Sequence, residues 1–116
     1  MTAKELAIFC AKCADEHKAT DIQILDMKRM WSISDYILLC SGDSERQLQG
    51  LAYDIEFKLK QEQTRCRAIE GYNVGKWIVL DFVDVVIHLY LREMRDYYEM
   101  DGLWADAHRV RWDKEE

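Results

Sequence analysis

The stretch KWIVLDFVDVVIHLYL, residues 76–91, decides the fold of this chain, and it predicts two β-strands joined by a tight turn. Branched and aromatic residues alternate with other side chains at a period of two along both segments. A pleated, half-buried surface selects that pattern. We therefore expect an antiparallel hairpin near the middle of the fold.

The turn of this hairpin sets the pairing of its strands. With a two-residue Phe-Val turn at 82–83, Asp81 lies opposite Asp84 and Trp77 lies opposite His88. Phe-Val is poor turn chemistry, however. A longer or bulged connection, which would shift the pairing, stays open as an alternative.

The two faces of the hairpin differ in character, because directly opposed residues share one side of a sheet. The aliphatic side consists of Ile78, Leu80, Val85, Ile87 and Leu89. The mixed side consists of Trp77, Val79, Val86, His88 and Tyr90, with the carboxylates of Asp81 and Asp84 at the turn. The aliphatic side predicts core. The mixed side predicts a surface that docks another molecule, although C-terminal helices that fold back over it are an equally good interpretation.

Length and charge limit the classes of function. A chain of 116 residues suits one domain with one core, and no apolar run approaches the roughly 20 residues needed to cross a bilayer. The N-terminus lacks the pattern of a signal peptide, which predicts a cytoplasmic protein. The net charge of -6 and the dispersed bases, clustered only at 65–67 and 109–111, disfavour direct nucleic-acid binding. An acidic surface suits a basic protein partner better.

Four cysteines invite a redox or metal interpretation that their spacing does not favour. Cys10 and Cys13 form a C-x-x-C on the apolar stripe of a predicted helix, which indicates core packing. Cys40 and Cys66 do not supply the second pair that a zinc site needs.

The remaining periodicity predicts an α/β fold. The predicted helices span about 2–17, 44–62, 92–100 and 101–107, and the strands before the hairpin span 21–27, 35–40 and 65–70. This order predicts a single domain with a mixed sheet of about five strands flanked by helices. Residues 108–116 are predicted to be a charged tail outside the domain, with Trp112 as its anchor.

Three kinds of catalytic or ligand site can be weighed against plainer interpretations. Residues 41–44, Ser-Gly-Asp-Ser, lie between a strand and a helix N-terminus, where anions bind, but they lack a phosphate-binding glycine motif, so a capped turn is favoured. Asp81, Asp84 and His88 could together hold a divalent cation, but acids are ordinary turn residues and no third acid follows at a fixed spacing. His88 has no evident nucleophile beside it, so neither catalysis nor a metal is predicted.

The chain resembles the Iojap family, the bacterial ribosomal silencing factors. The matching residues are Asp35-Tyr36, Ser41-Gly42-x-Ser44-x-x-Gln47, Glu70-Gly71, Gly75-x-Trp77, Leu80-Asp81, Asp84-Val85-Val86-Ile87-His88, Arg95-x-x-Tyr98 and Leu103-Trp104-Ala105-Asp106-Ala107. Where this chain has Val83, the family usually has glycine, and the proline typical before Glu70 is absent. The ordered set covers the chain from the first helix to about residue 107.

The resemblance implies a non-enzymatic translation factor without a cofactor. Such proteins bind the large ribosomal subunit through its protein L-fourteen, block association with the small subunit, and repress translation. It also implies a fold similar to nucleotidyltransferases without their catalytic acids, and a homodimer. The residues implied to bind the ribosomal protein are Trp77, Val79, Asp81, Asp84, His88, Tyr90 and Arg95. The alternatives are a small nucleotide-binding nucleotidyltransferase and an assembly factor of the large subunit.

Overall fold

The computed structural model describes residues 1–30, 34–97, 102 and 104–113 of the chain. In chain order its elements are α1 (Ala3–Glu16), β1 (Thr20–Asp26), β2 (Tyr36–Gly42), α2 (Glu45–Gln61), β3 (Ala68–Glu70), β4 (Trp77–Asp81), β5 (Val85–Leu91), α3 (Arg92–Tyr97) and β6 (His108–Val110). The predicted connection at 31–34 and the predicted helices over 92–100 and 101–107 fall partly outside the described residues. Tyr98 and Leu103 of the family resemblance lie outside them as well.

One mixed sheet in the order β3-β4-β5-β2-β1-β6 organises the molecule. β2 and β5 are parallel neighbours, and the other pairs are antiparallel. Every residue of β2 is buried, as its continuous apolar run predicts for a central strand. The predicted α/β class, with a mixed sheet flanked by helices in a single domain, is confirmed.

Helices α1 and α2 pack on one face of the sheet and form the main core with the aliphatic side of the hairpin. α1 begins with the predicted capping box, in which Thr2 and Glu5 exchange side-chain-to-backbone hydrogen bonds. Cys10 and Cys13 are buried free thiols on this face, so their interpretation as core is confirmed. Burial raises the pKa of the Cys13 thiol to about 11, which leaves it a neutral packing group.

The register of the β4–β5 hairpin differs from the predicted one. Trp77 pairs with Tyr90, not with His88, so every predicted partner is displaced by two residues. The turn consists of Val83 and Asp84, closed by the Phe82 amide, which donates to the Val85 carbonyl at 2.9 Å. An even displacement keeps each side chain on its predicted face. The predicted division of side chains between the two faces is therefore correct, although the predicted turn is wrong.

Val83 adopts a φ of +75°, a conformation that branched residues rarely take. The Asp84 amide donates to the Phe82 carbonyl at 2.9 Å, which makes Val83 the centre of a γ-turn. The Asp81 carboxylate holds the turn by accepting from the Val83 amide at 2.8 Å. The position is one where glycine would be unstrained.

Replacing Val83 with glycine should raise the free energy of unfolding by about 0.5–1 kcal/mol. A branched residue in the left-handed region is strained by about 1–2 kcal/mol. Glycine removes this strain, but part of the gain is offset because glycine increases the conformational entropy of the unfolded chain. Val83 is half exposed, so little apolar burial is lost. Urea denaturation measures the change. Val74→Gly, at an exposed valine that does not have positive φ, should destabilise, and equal shifts in both variants would contradict the strain argument.

The sixth strand comes from residues that the sequence assigned to the tail. β6 pairs with β1 through Ile24, Leu25 and Asp26, and it forms one edge of the sheet. Just beyond it, the Trp112 indole donates to the Ile22 carbonyl at 3.1 Å and packs against the core. A strand can pair with an open sheet edge through its backbone without an apolar side-chain pattern. The charged segment 108–110 therefore gave no sign of a strand in the sequence.

Candidate docking surface

The mixed side of the β4–β5 hairpin faces away from α1 and α2. Trp77, Val79, Val86 and His88 are half-buried there, and we call these four residues the docking face. Their neighbours along the strands, on the opposite side, are fully buried in the main core: Ile78, Leu80, Val85, Ile87 and Leu89. The predicted division into a core side and a partly accessible side is confirmed for these residues.

Aromatic rings contact one another across the docking face. The Trp77 ring centroid lies 5.8 Å from Tyr90 and 6.2 Å from His88. The Trp77 indole N–H donates to Nδ1 of His88 at 3.2 Å. Trp104, from the segment after α3, lies 6.0 Å from His88. The expected covering by the C-terminal part of the chain therefore occurs over His88, while Trp77 keeps an accessible edge.

Two of the predicted binding residues lie inside the protein. Tyr90 has no exposed surface and Arg95 is 3% exposed. Alternation placed Tyr90 on the correct side of β5, but the chain itself packs over that position. Neither side chain can present itself directly to a partner in this conformation, so both support the docking face from below.

Arg95 joins three parts of the fold. Its Nη1 donates to the Asp21 carbonyl at 2.6 Å and to Oγ of Ser41 at 2.8 Å, and its guanidinium lies 5.6 Å from the Tyr90 ring centroid. β1 is irregular between Thr20 and Gln23, and Asp21 has a φ of +49°. The Asp21 carbonyl thus meets the arginine at a bulge in β1. No sequence signal identified this bulge, so the structural role of Arg95 was missed.

The two carboxylates at the hairpin tip have separate environments. Asp81 forms an ion pair with Arg67 and accepts from the Val83 amide. The hydrogen bond from Val83, assisted by Arg67 and opposed by partial burial, holds the pKa of Asp81 below its usual value. Asp84 is exposed, while its carbonyl accepts from the amides of Asp35 and Tyr36. Asp81 already has partners, which argues against the alternative of a cation held between Asp81 and Asp84.

The loop between β2 and α2 is a capped turn, as the sequence favoured. Ser44 accepts from the Gln47 amide, and the Asp43 amide donates to the Gln47 side chain at 2.7 Å. A Cβ at Gly42 would lie 2.7 Å from Leu48, so glycine there permits close packing of helix on strand. The loop uses its polar groups internally, and this weakens the nucleotide-site alternative.

A separate group of potential metal ligands comprises Cys13, Glu16 and Asp54, at the α1–α2 contact. The Lys58 ammonium lies 3.2 Å from the Asp54 carboxylate and 3.4 Å from Glu16. Asp54 also contacts His17 at 2.9 Å. Side chains of this chain already balance the charge of the group.

Comparison with known proteins gives this geometry a context. The model of the family described as "Ribosomal silencing factor during starvation" matches residues 1–116. The chain belongs to the ribosomal silencing factor family. The Bacillus subtilis ribosomal silencing factor RsfS is 33% identical over 107 residues, covering 92% of this chain and 91% of that protein. A crystal structure of a Chromobacterium violaceum protein superposes with a TM-score of 0.86 at 30% identity, covering 99% of this chain and 95% of the other.

A relative from mouse has a similar sequence, but its name refers to ribosome assembly. It is called mitochondrial assembly of ribosomal large subunit protein 1, and it is 32% identical over 95 residues, which cover 78% of this chain and 41% of that protein. Membership of the ribosomal silencing factor family supports a ribosome-associated regulatory role and points to a regulatory factor rather than an enzyme. Within the part of the chain that the structure describes, no helix is long and apolar enough to cross a membrane.

Two glycines of the silencing-factor resemblance position the start of β4. Gly71 has a φ of +80°, and a Cβ there would lie 2.1 Å from the Trp77 carbonyl. Gly75 has a φ of +82° and lies against the Gln49 side chain, whose amide donates to the Tyr72 carbonyl at 2.8 Å. Both positions need glycine, and both fix the loop that delivers Trp77 to the docking face.

His88 should make this ribosomal silencing factor less stable in mild acid. Burial lowers its pKa below 6.5, and Nδ1 accepts the Trp77 N–H, which requires a neutral ring. The unfolded chain takes up the proton first, so the contribution of His88 is full above about pH 6.5. It declines as the pH falls towards the lower folded pKa.

Urea denaturation from pH 7.5 to 5 measures this dependence. His88→Phe should flatten the part of the profile just below pH 6.5. Identical profiles for the wild type and His88→Phe would contradict the assignment.

Proposed function

We propose that this chain binds the large ribosomal subunit through protein L-fourteen, blocks association with the small subunit, and thereby represses translation. The docking face and the acidic hairpin tip are the surface for that contact. The activity requires no catalytic residue and no cofactor. The cytoplasmic location and the homodimer implied by the family resemblance remain predictions.

The observation that carries the proposal is the accessible edge of Trp77 on the strand face that leads to the acidic tip. Tryptophan is strongly enriched among residues that dominate binding energy. On β4, Trp77, Val79 and Asp81 occupy alternate positions of one strand face, so successive contacts lie about 7 Å apart. Asp84 then offers an exposed charge at the end of this row to a basic protein.

Burial supports dividing the proposed binding residues into two groups. Trp77, Val79, Asp81, Asp84 and His88 have accessible surface on the mixed side or at its tip. Tyr90 and Arg95 hold the face rigid from beneath through ring stacking and hydrogen bonds. A rigid, preformed face loses less entropy on binding, which favours affinity.

A subunit-association assay tests the proposal. Purified large and small subunits are mixed with and without the protein, and the products are separated on a sucrose gradient. We expect the protein to shift joined ribosomes to separate subunits and to sediment with the large one. Undiminished joining at saturating protein, or absence from the large-subunit peak, would overturn the proposal.

The second candidate is an assembly factor of the large subunit, favoured by the name of the mouse relative. The same docking face would serve this role on an immature particle. Binding to immature large subunits purified from cells, compared with binding to mature ones, separates the roles. A silencing factor should bind the mature subunit at least as well as the immature one.

A further inference from the structure

A groove runs along the end of the sheet where β1, β2 and β6 meet. Two adjoining cavities of about 590 and 520 Å³ share Asp26, Lys28 and His108. One of them extends to Met30 and Ala107, and the other extends to Tyr36 and the residues after β6. We call the two cavities together the basic groove.

The groove concentrates positive charge in an acidic protein. Five of the 16 lysines and arginines line it: Lys4, Lys28, Arg29, Arg109 and Arg111. All five are exposed, and only Asp26 and Asp106 line it with negative charge. The chain as a whole has a net charge of -6, so folding separates the two signs of charge.

Side-chain contacts within the groove leave this excess in place. The Asp26 carboxylate accepts from the Lys28 amide at 3.0 Å and lies 4.0 Å from its ammonium. Lys28 is oriented by the Tyr36 hydroxyl, 2.8 Å away. Arg109 donates to the Ala107 carbonyl at 3.0 Å, and this bond orients the guanidinium without neutralising it.

A simpler explanation of basic residues here is that they protect an open sheet edge. This explanation accounts for only some of the five basic residues that line the groove. Charges on an edge strand discourage pairing with other chains, which accounts for Arg109 on β6. Lys4 lies on α1, and Lys28 and Arg29 follow β1, so none of these three protects that edge. Bases from separate segments converge on one concave surface, which indicates an anionic ligand.

We propose that the basic groove binds the phosphate backbone of RNA without reading its sequence. The proposal extends the proposed function, in which the partner particle contains RNA beside its proteins. Ala107 and Met30 of the groove pack in the same cluster as Trp77 and Trp104, so the groove adjoins the docking face on one side of the sheet. Protein and RNA could thus be contacted together.

Direct binding to RNA tests the groove independently of the ribosomal proposal. The probe is a fluorescein-labelled RNA duplex of roughly 16 base pairs, titrated with the full chain at low salt. The groove variant is Arg29→Glu with Arg111→Glu, at two exposed positions, and Arg111 forms only a long ion pair, 3.9 Å, with the exposed Asp113. The matched control is Arg46→Glu with Lys60→Glu, which makes the same charge change on exposed positions of α2.

We expect the wild type and the control to bind the duplex with similar affinity. The groove variant should bind at least about tenfold more weakly, with the slope of log affinity against log salt reduced by about two. No binding by the wild type, or equal losses in the two double variants, would overturn the proposal.

Intact large subunits and isolated protein L-fourteen distinguish this proposal from the proposed function. The groove variant should lose affinity for the whole subunit and keep affinity for the isolated protein. If the wild type binds the RNA duplex but neither ribosomal target, the proposed function fails and the groove stands. The groove proposal fails, and the proposed function stands, under a different outcome. In that outcome the large subunit, isolated protein L-fourteen and the RNA duplex each bind the two double variants as tightly as they bind the wild type.

Discussion

Replacing Arg95 with alanine should lower the free energy of unfolding by about 3 kcal/mol. The guanidinium is buried and donates to the Asp21 carbonyl and the Ser41 hydroxyl. Its removal leaves the buried Ser41 hydroxyl and the part-buried bond to the Asp21 carbonyl without this donor, and a buried loss of this kind costs about 1–3 kcal/mol. The stacking of the guanidinium near the Tyr90 ring is lost as well.

The matched control for this change is Arg92→Ala on the same helix. Arg92 is exposed and pairs with Asp43, also exposed, so its loss should cost less than about 1 kcal/mol. Arg95→Lys should fall between the two, because lysine keeps the charge and loses the planar fork. Urea denaturation measures all three. A change below about 1 kcal/mol in Arg95→Ala would show that the contacts across the β1 bulge contribute little.

Replacing Trp77 with alanine should weaken binding to large ribosomal subunits by about 2 kcal/mol or more, which is roughly thirtyfold in Kd. Trp77 supplies the accessible aromatic edge of the docking face, and its indole N–H orients the His88 ring. The substitution removes both the aromatic ring that contacts the partner and the N–H group that orients His88. Sedimentation with purified large subunits over a range of protein concentrations measures the change.

Two further variants separate loss of binding from loss of folding. Phe57→Ala removes an aromatic ring that is 50% exposed on α2, on the other side of the sheet, and it should leave large-subunit binding unchanged. Asp84→Lys reverses an exposed charge at the hairpin tip and should weaken binding about tenfold without changing stability. Unchanged sedimentation of Trp77→Ala and Asp84→Lys would remove the hairpin from the binding site.

The hairpin shows which features of the docking face the sequence pattern could predict. Alternation at period two, together with an assumed two-residue turn at 82–83, assigned Trp77, Val79 and His88 to one face. The turn was wrong because the chain uses Val83 in a left-handed conformation that its residue type disfavours. The faces were still correct, since the displacement was by two residues.

Tyr90 and Arg95 show where pattern analysis stopped. Tyr90 obeys the alternation of the docking face, but its accessibility depends on a segment more than ten residues later that packs above it. Arg95 was assigned from a family motif, and its burial depends on a bulge in β1 some 70 residues earlier in the chain. The basic groove was missed for the same reason, because its cations come from separate segments, of which only 109–111 stood out in the sequence as a cluster of bases.

By itself, the sequence determined the α/β class, the central buried strand, the two faces of the hairpin and the family. These properties depend on periodicity and on ordered local motifs, which neighbouring residues specify. Only the tertiary structure decided the register of the hairpin, the edge strand β6, the burial of Tyr90 and Arg95, and the convergence of basic residues. Those features depend on which distant segments close upon one another, and that choice is made by packing and hydrogen bonding across the whole domain.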